Sequence, residues 1–218
     1  MNLRVINAML LCGPLLFAGC ATTTPEQTTA KPDSVVLPFE PPEAPMDELD
    51  ADAVFSALVG EIAAQRGDLE MAYRHQLQTA VLTGDAQAAE RAARIALAVK
   101  RRDLALRAVR EWVRIAPNEV PARQLAVMLY LDENHPEKVT ENIQAIMAIA
   151  ESTGRDGFLL VMAALAKSRD HDAGMRLMRR LAESHPQDPR AGYATARLAL
   201  SWKQNQVAVQ EIRRVIDE

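Results

Sequence analysis

The sequence predicts an all-α chain: a solenoid of about five helix pairs that follows a signal peptide and a disordered tether. Three observations carry this. From residue 51 onward apolar residues recur at helical spacing, and no segment keeps the strict alternation of a strand. The chain is 49% hydrophobic but only 4% aromatic, an Ala- and Leu-rich balance that favours helices packed through small side chains. The polar breaks are also regular: Gly84 to Pro117 is 33 residues and Pro117 to Pro186 is 69.

At the amino terminus, residues 5–18 form an apolar run behind Arg4, interrupted by Asn7 and Pro14 and ending in Leu16-Phe17-Ala18-Gly19-Cys20. A positive start, an apolar stretch and small residues at a cut point are the layout of a secretory signal. The run is too short and broken for an ordinary spanning helix, which needs about 20 apolar residues. Small residues before a cysteine resemble the lipobox of bacterial lipoproteins, with Phe17 where Leu is usual. The resemblance implies cleavage after Gly19 and acylation of Cys20 by more than one chain of the palmitate kind. A plain signal peptide with Cys20 incidental is the alternative. By the sorting rule of such lipoproteins, Ala21 implies the outer membrane, with the folded part on its periplasmic face. The only other cysteine is Cys12, so thiol catalysis, disulfides and Cys-based zinc sites are excluded after residue 20.

Residues 21–50 read as the tether. They hold six of the twelve prolines and seven acids against one base, Lys31, a net charge of −6 in a chain whose total is −4. Such a segment buries too little apolar surface to offset its ordering entropy. Residues 51–218 are nearly neutral, at +1. A strongly basic nucleic-acid binder is excluded by this balance.

The spacing then predicts ten helices, over 49–66, 69–83, 86–99, 102–116, 119–133, 137–152, 156–169, 171–184, 188–203 and 205–217. A helix–turn–helix unit of about 34 residues resembles the tetratricopeptide repeat (TPR). Gly60, Ala63, Gly67 and Ala72 fit a first unit, Ala105 and Pro117 a second, Tyr130 and Asn134 a third, Ala173 and Pro186 a fourth, and Pro189, Ala196, Ala199 and Ala208 a fifth. Trp112 stands where a small residue is usual. The competing reading is a helical bundle with evenly spaced breaks. The stretches Leu82-Thr83-Gly84-Asp85, Glu90 to Ala96, Ile115-Ala116-Pro117-Asn118 and Arg123 to Ala126 resemble proteobacterial TPR lipoproteins that act as periplasmic adaptors of carboxyl-terminal processing proteases. Those relatives carry many more repeats, and residues 205–217 present Val207, Val209, Ile212, Val215 and Ile216 with no capping helix behind them. A longer protein is the expectation.

No chemistry-bearing motif emerges from the residues. His75, His135, His171 and His185 lie in different units without metal-ligand spacing, and neither a phosphate loop nor a nucleophile elbow occurs. No metal, cofactor, nucleic acid or enzymatic activity is therefore expected. Two surfaces remain. Lys100, Arg101, Arg102, Arg107 and Arg110 form a basic patch suited to an acidic partner or the acidic tether, unless they only complement a helix carboxyl end. Repeat positions place Glu61, Gln65, Glu90, Arg94, Gln124, Met128, Lys167, Tyr193 and Arg197 along the groove lined by the first helix of each pair. The resemblance implies a non-enzymatic scaffold for periplasmic proteins, among them a processing protease and peptidoglycan hydrolases. An envelope assembly factor, or the non-catalytic part of a longer enzyme, are the alternatives.

Overall fold

The computed structural model of the chain describes residues 51–217. The signal peptide, Cys20 and the linker lie outside the described residues. Ten helices follow: α1 Ala51–Gln65, α2 Leu69–Thr83, α3 Ala86–Ala98, α4 Arg102–Ile115, α5 Val120–Asp132, α6 Pro136–Thr153, α7 Gly157–Leu165, α8 His171–Glu183, α9 Pro189–Ser201 and α10 Asn205–Asp217. Every one was expected, and all but α7 end within two residues of the expected bounds.

The chain starts helices with aspartate. Asp68, Asp85, Asp156, Asp170 and Asp188 each sit at an N-cap, where the carboxylate accepts from an otherwise unpaired main-chain N–H at the helix start. Pro121, Pro136 and Pro189 occupy the first helical turn, where the missing N–H costs no intrahelical bond.

The turns inside the pairs carry the repeat. A left-handed residue occurs at Gly67, Lys100, Asn134 and Lys203, at intervals of 33, 34 and 69 residues. The long interval contains the fourth turn, which closes differently. There the Ser168 hydroxyl accepts from the Asp170 N–H at 3.1 Å and donates to Asp132 Oδ1 at 2.6 Å, so side-chain bonds do the work of a left-handed residue. This explains why α7 stops at Leu165 rather than 169: Lys167-Ser168-Arg169-Asp170 is turn, and Asp170 already caps α8.

Each helix packs on its neighbours in the chain, and α2 on α4, α5 on α7 and α7 on α9 stack unit upon unit. That arrangement, with its period of 33 to 34 residues, is an α-solenoid of TPR type rather than a closed bundle. Alanines make the close approaches: Ala72, Ala80, Ala88, Ala92, Ala96 and Ala105 are fully buried. Hydrogen bonds tie successive units at recurring intervals. Tyr73 Oη donates to the Leu104 carbonyl (3.1 Å), Gln124 Nε2 to that of Leu160 (2.8 Å) and Trp202 Nε1 to that of Ala166 (3.2 Å). Trp112 fits because Ala80, Ala88, Ala89 and Ala122 surround it in a satellite core, and its indole N–H donates to Glu119 Oε2 at 2.7 Å.

Candidate partner-binding faces

Eight of the nine residues expected along the groove lie on the first helices of the pairs, and those on α1, α3 and α9 differ in their surroundings. Glu61 and Gln65 are exposed on α1. Glu90 and Arg94 lie one turn apart on α3 and form an ion pair at 2.5 Å, so the two act as one neutral, polar feature. On α9, Tyr193 is 45% exposed and the Arg197 guanidinium sits 5.8 Å from its ring centroid. That pair joins a large amphipathic ring to a cation held over it.

The other expectations are corrected. Met128 is buried in the main core, because α5 packs against both α4 and α6 and stacks on α7, leaving that turn no free face. Gln124 is half-buried and spends its amide on the Leu160 carbonyl; it holds unit to unit rather than facing a ligand. Lys167 is exposed but lies in the turn after α7, not on its helix. What sequence reasoning missed on α7 is apolar: Leu159, Met162 and Ala163 are half-buried rather than fully in the core. The signal was the uninterrupted run Gly157 to Leu165, in which a surface residue cannot be told from a core one by periodicity.

Two of the five cations of the basic patch are paired with acids. Arg101 is held by Asp103 through two bonds, of 3.1 and 2.9 Å. Asp103 thereby stays below the usual carboxylate range, chiefly through the Arg101 hydrogen bond. Arg102 is drawn inward to Asp132. Arg110 donates to the Tyr130 hydroxyl at 3.2 Å and lies over that ring. Lys100, at its left-handed turn, and Arg107 are exposed and have no ion-pair partner among the described residues. The five cations are therefore two ion-paired arginines and three charges without an acidic partner among the described residues, one of which, Arg110, lies over the Tyr130 ring.

The histidines are packing residues. His75 meets the ring edge-on with Phe55, His135 with Tyr130 and His185 with Phe158, at 5.9, 6.0 and 5.2 Å, while His171 stacks on Trp202 at 4.4 Å. Among the described residues no three His, Cys, Asp or Glu side chains converge as metal ligands. No described helix is long and apolar enough to cross a membrane. One further concavity, of about 560 Å³, opens between α8, α9 and α10. Its floor carries the buried Glu211, which accepts from Arg179 at 2.9 Å and Arg214 at 3.3 Å.

No family model and no curated protein matches the chain. Solved structures are similar to it in fold. A crystal structure of the MamA protein aligns at 11% identity and a TM-score of 0.45, covering 78% of this chain and 92% of its own. A TPR protein from Parabacteroides merdae aligns at 17% identity and a TM-score of 0.45, covering 80% and 68%. YrrB, described as a TPR protein with an unusual peptide-binding site, aligns at 15% identity and a TM-score of 0.42, covering 76% and 85%.

Proposed function

We propose that the chain is a non-catalytic scaffold that binds protein partners on the exposed side of its first-of-pair helices, anchored to the periplasmic face of the outer membrane through acylated Cys20. The single observation that carries the binding reading is the Tyr193–Arg197 pair on α9. Aromatic and arginine side chains dominate the energetics of protein interfaces. Here the two are exposed together on one helix, α9, which packs against α7. The finer reading is an adaptor that presents peptidoglycan hydrolases to a carboxyl-terminal processing protease. It rests on the motif resemblance and on what tethering does: two proteins held on one scaffold meet at a raised effective concentration.

Affinity capture from an envelope extract tests both levels. The wild-type chain is expected to retain a processing protease and a wall hydrolase, and the double variant Tyr193→Ser, Arg197→Glu to retain at least tenfold less of either. Recovery of outer-membrane assembly components instead would replace the adaptor reading. Equal retention by the double variant would move the site away from α9.

A further inference from the structure

The second unit holds an aromatic side chain at a place where the fifth unit has a cavity. In the second unit the indole of Trp112, on α4, packs in a satellite core with Ala80 of α2 and Ala88 and Ala89 of α3. Counting from the first residue of each helix aligns the fifth unit with it. Ala182 of α8 then takes the place of Ala80, Ala191 and Gly192 of α9 those of Ala88 and Ala89, and Val215 of α10 that of Trp112. The small positions stay small, but where the second unit has an indole the fifth has only an isopropyl group. All four of these residues line the concavity of about 560 Å³ between α8, α9 and α10. A methyl added at Gly192 would collide with Val215, so Val215 is spent on contact with the α9 main chain and the cavity stays open beside it.

The lining supplies both kinds of contact that such a ring uses. Pro186 and Pro189 add apolar wall beside the small residues. At the place of Ala108 stands Glu211, whose side chain is only 7% exposed and accepts from Arg179 at 2.9 Å and Arg214 at 3.3 Å. A carboxylate has about four acceptor sites, so two bonds leave room for another donor. The two guanidiniums, 40% and 69% exposed, are cations of the kind attracted to an aromatic face. We propose that this cavity binds an indole side chain, a tryptophan presented by a partner protein. The chain shows the same chemistry at the equivalent place, where the Trp112 N–H donates to the carboxylate of Glu119 at 2.7 Å. A buried indole needs such an acceptor, and an aliphatic side chain would leave it unused. The volume lies within the range of about 300 to 1,000 Å³ usual for ligand sites and exceeds one ring, leaving space for the main chain on either side of it. Neither Tyr193 nor Arg197 lines the cavity, so the site stands apart from the α9 pair and does not rest on the adaptor reading.

Titration of the full chain with N-acetyltryptophanamide in mild detergent tests this, read by nuclear magnetic resonance of labelled alanine and valine methyls. Saturable shifts are expected at Ala182, Ala191 and Val215, while Val109, in the main core, stays unmoved. N-acetylleucinamide is expected to bind about tenfold more weakly. Val215→Trp supplies the ring from within the chain and should weaken binding of the tryptophan amide about tenfold, with the helical circular dichroism unchanged. Ala182→Leu narrows the cavity from α8 and should weaken binding in the same way, so the result does not depend on one variant folding. The double variant Tyr193→Ser, Arg197→Glu should bind the amide as the wild type does. Absent or unsaturable shifts in the wild type overturn the proposal, as do equal affinity for the leucine amide and undiminished binding by Val215→Trp and Ala182→Leu. Loss of binding in the double variant also overturns it, because the ring would then sit on the α9 face.

Discussion

Arg102, at the start of α4, donates to Asp132, at the end of α5, and this contact joins two units at one edge of the solenoid. The carboxylate side chain is only 4% exposed and the guanidinium 21%. Asp132 Oδ1 also accepts from Ser168 Oγ at 2.6 Å and from the Arg169 N–H at 2.8 Å, so one carboxylate gathers the second, third and fourth units. Burial, helped by the nearby Arg169 charge, lowers the Arg102 pKa from its ordinary value. It remains a cation, as arginine does in proteins.

The two halves of this contact should not be equivalent under mutation. Asp132→Ala leaves a half-buried guanidinium, a hydroxyl and a main-chain N–H without their acceptor, and is expected to cost about 3 kcal/mol, as for a broken buried pair. Arg102→Met leaves Asp132 with two neutral donors, and is expected to cost about 2 kcal/mol, the scale of a hydrogen bond to a charged group. Urea unfolding followed by circular dichroism checks the order. Equal losses would show that Ser168 and Arg169 contribute nothing to holding the carboxylate.

Gly174 sets two general tendencies against each other. Alanine in a helix interior gains about 1 kcal/mol over glycine from backbone entropy alone. At Gly174 of α8, however, the new methyl would lie 2.8 Å from the Trp202 ring. That ring cannot swing away freely, because His171 stacks on it and its N–H is bonded to the Ala166 carbonyl. Overpacking costs of about 1 to 3 kcal/mol should win. Gly174→Ala is therefore expected to lower the melting temperature and weaken the near-ultraviolet signal of Trp202. A raised melting temperature would mean that α8 and α9 can part without cost.

These examples mark where the sequence was legible. Helices and their starts were readable because aspartate caps, prolines in first turns and apolar spacing all act locally. The Ser168 turn was not, since its closure depends on a carboxylate 36 residues away, and α7 was read as too long in consequence. The site residues divide the same way. Glu61, Gln65, Tyr193 and Arg197 are exposed because a repeat position fixes the direction of a side chain. Met128 and Gln124 sit at comparable positions yet are consumed by packing between units, which no local pattern encodes. Within the charge cluster from Lys100 to Arg110 the pairing of Arg102 was hidden for the same reason, since Asp132 is 30 residues from it, whereas Asp103 stands two residues from Arg101.

Acid sensitivity follows from Asp188, which caps α9 and is also bonded by Arg190 at 2.6 Å. The Arg190 hydrogen bond is the main cause holding this carboxyl below its ordinary range. An unfolded aspartate titrates near about 3.9. Above that value both states are ionised and the contribution is full; as pH falls through the depressed folded value, the unfolded state has already taken up its proton and the contribution is lost. Arg190→Gln keeps the cap and removes the ion pair. Its deficit against the wild type, read from urea midpoints between pH 2 and 7, is expected to be constant above pH 5 and to shrink towards zero at the acid end. A deficit independent of pH would assign the effect to the contact of Arg190 with the Phe158 ring instead.

The anchoring reading turns on one sulfur. Each acyl CH₂ buried in a bilayer contributes about 0.8 kcal/mol, so a single chain binds reversibly while two or more hold stably. Cys20→Ser removes the acceptor of those chains and leaves the preceding apolar run unchanged. The variant is expected to leave the membrane pellet after carbonate washing and to lose labelling by an alkyne-tagged palmitate, whereas Cys12→Ser should behave as the wild type. Wild-type sedimentation of Cys20→Ser with no label on either protein would refute lipidation. It would leave the uncleaved apolar segment of residues 5–18 as the part that holds the chain to the membrane.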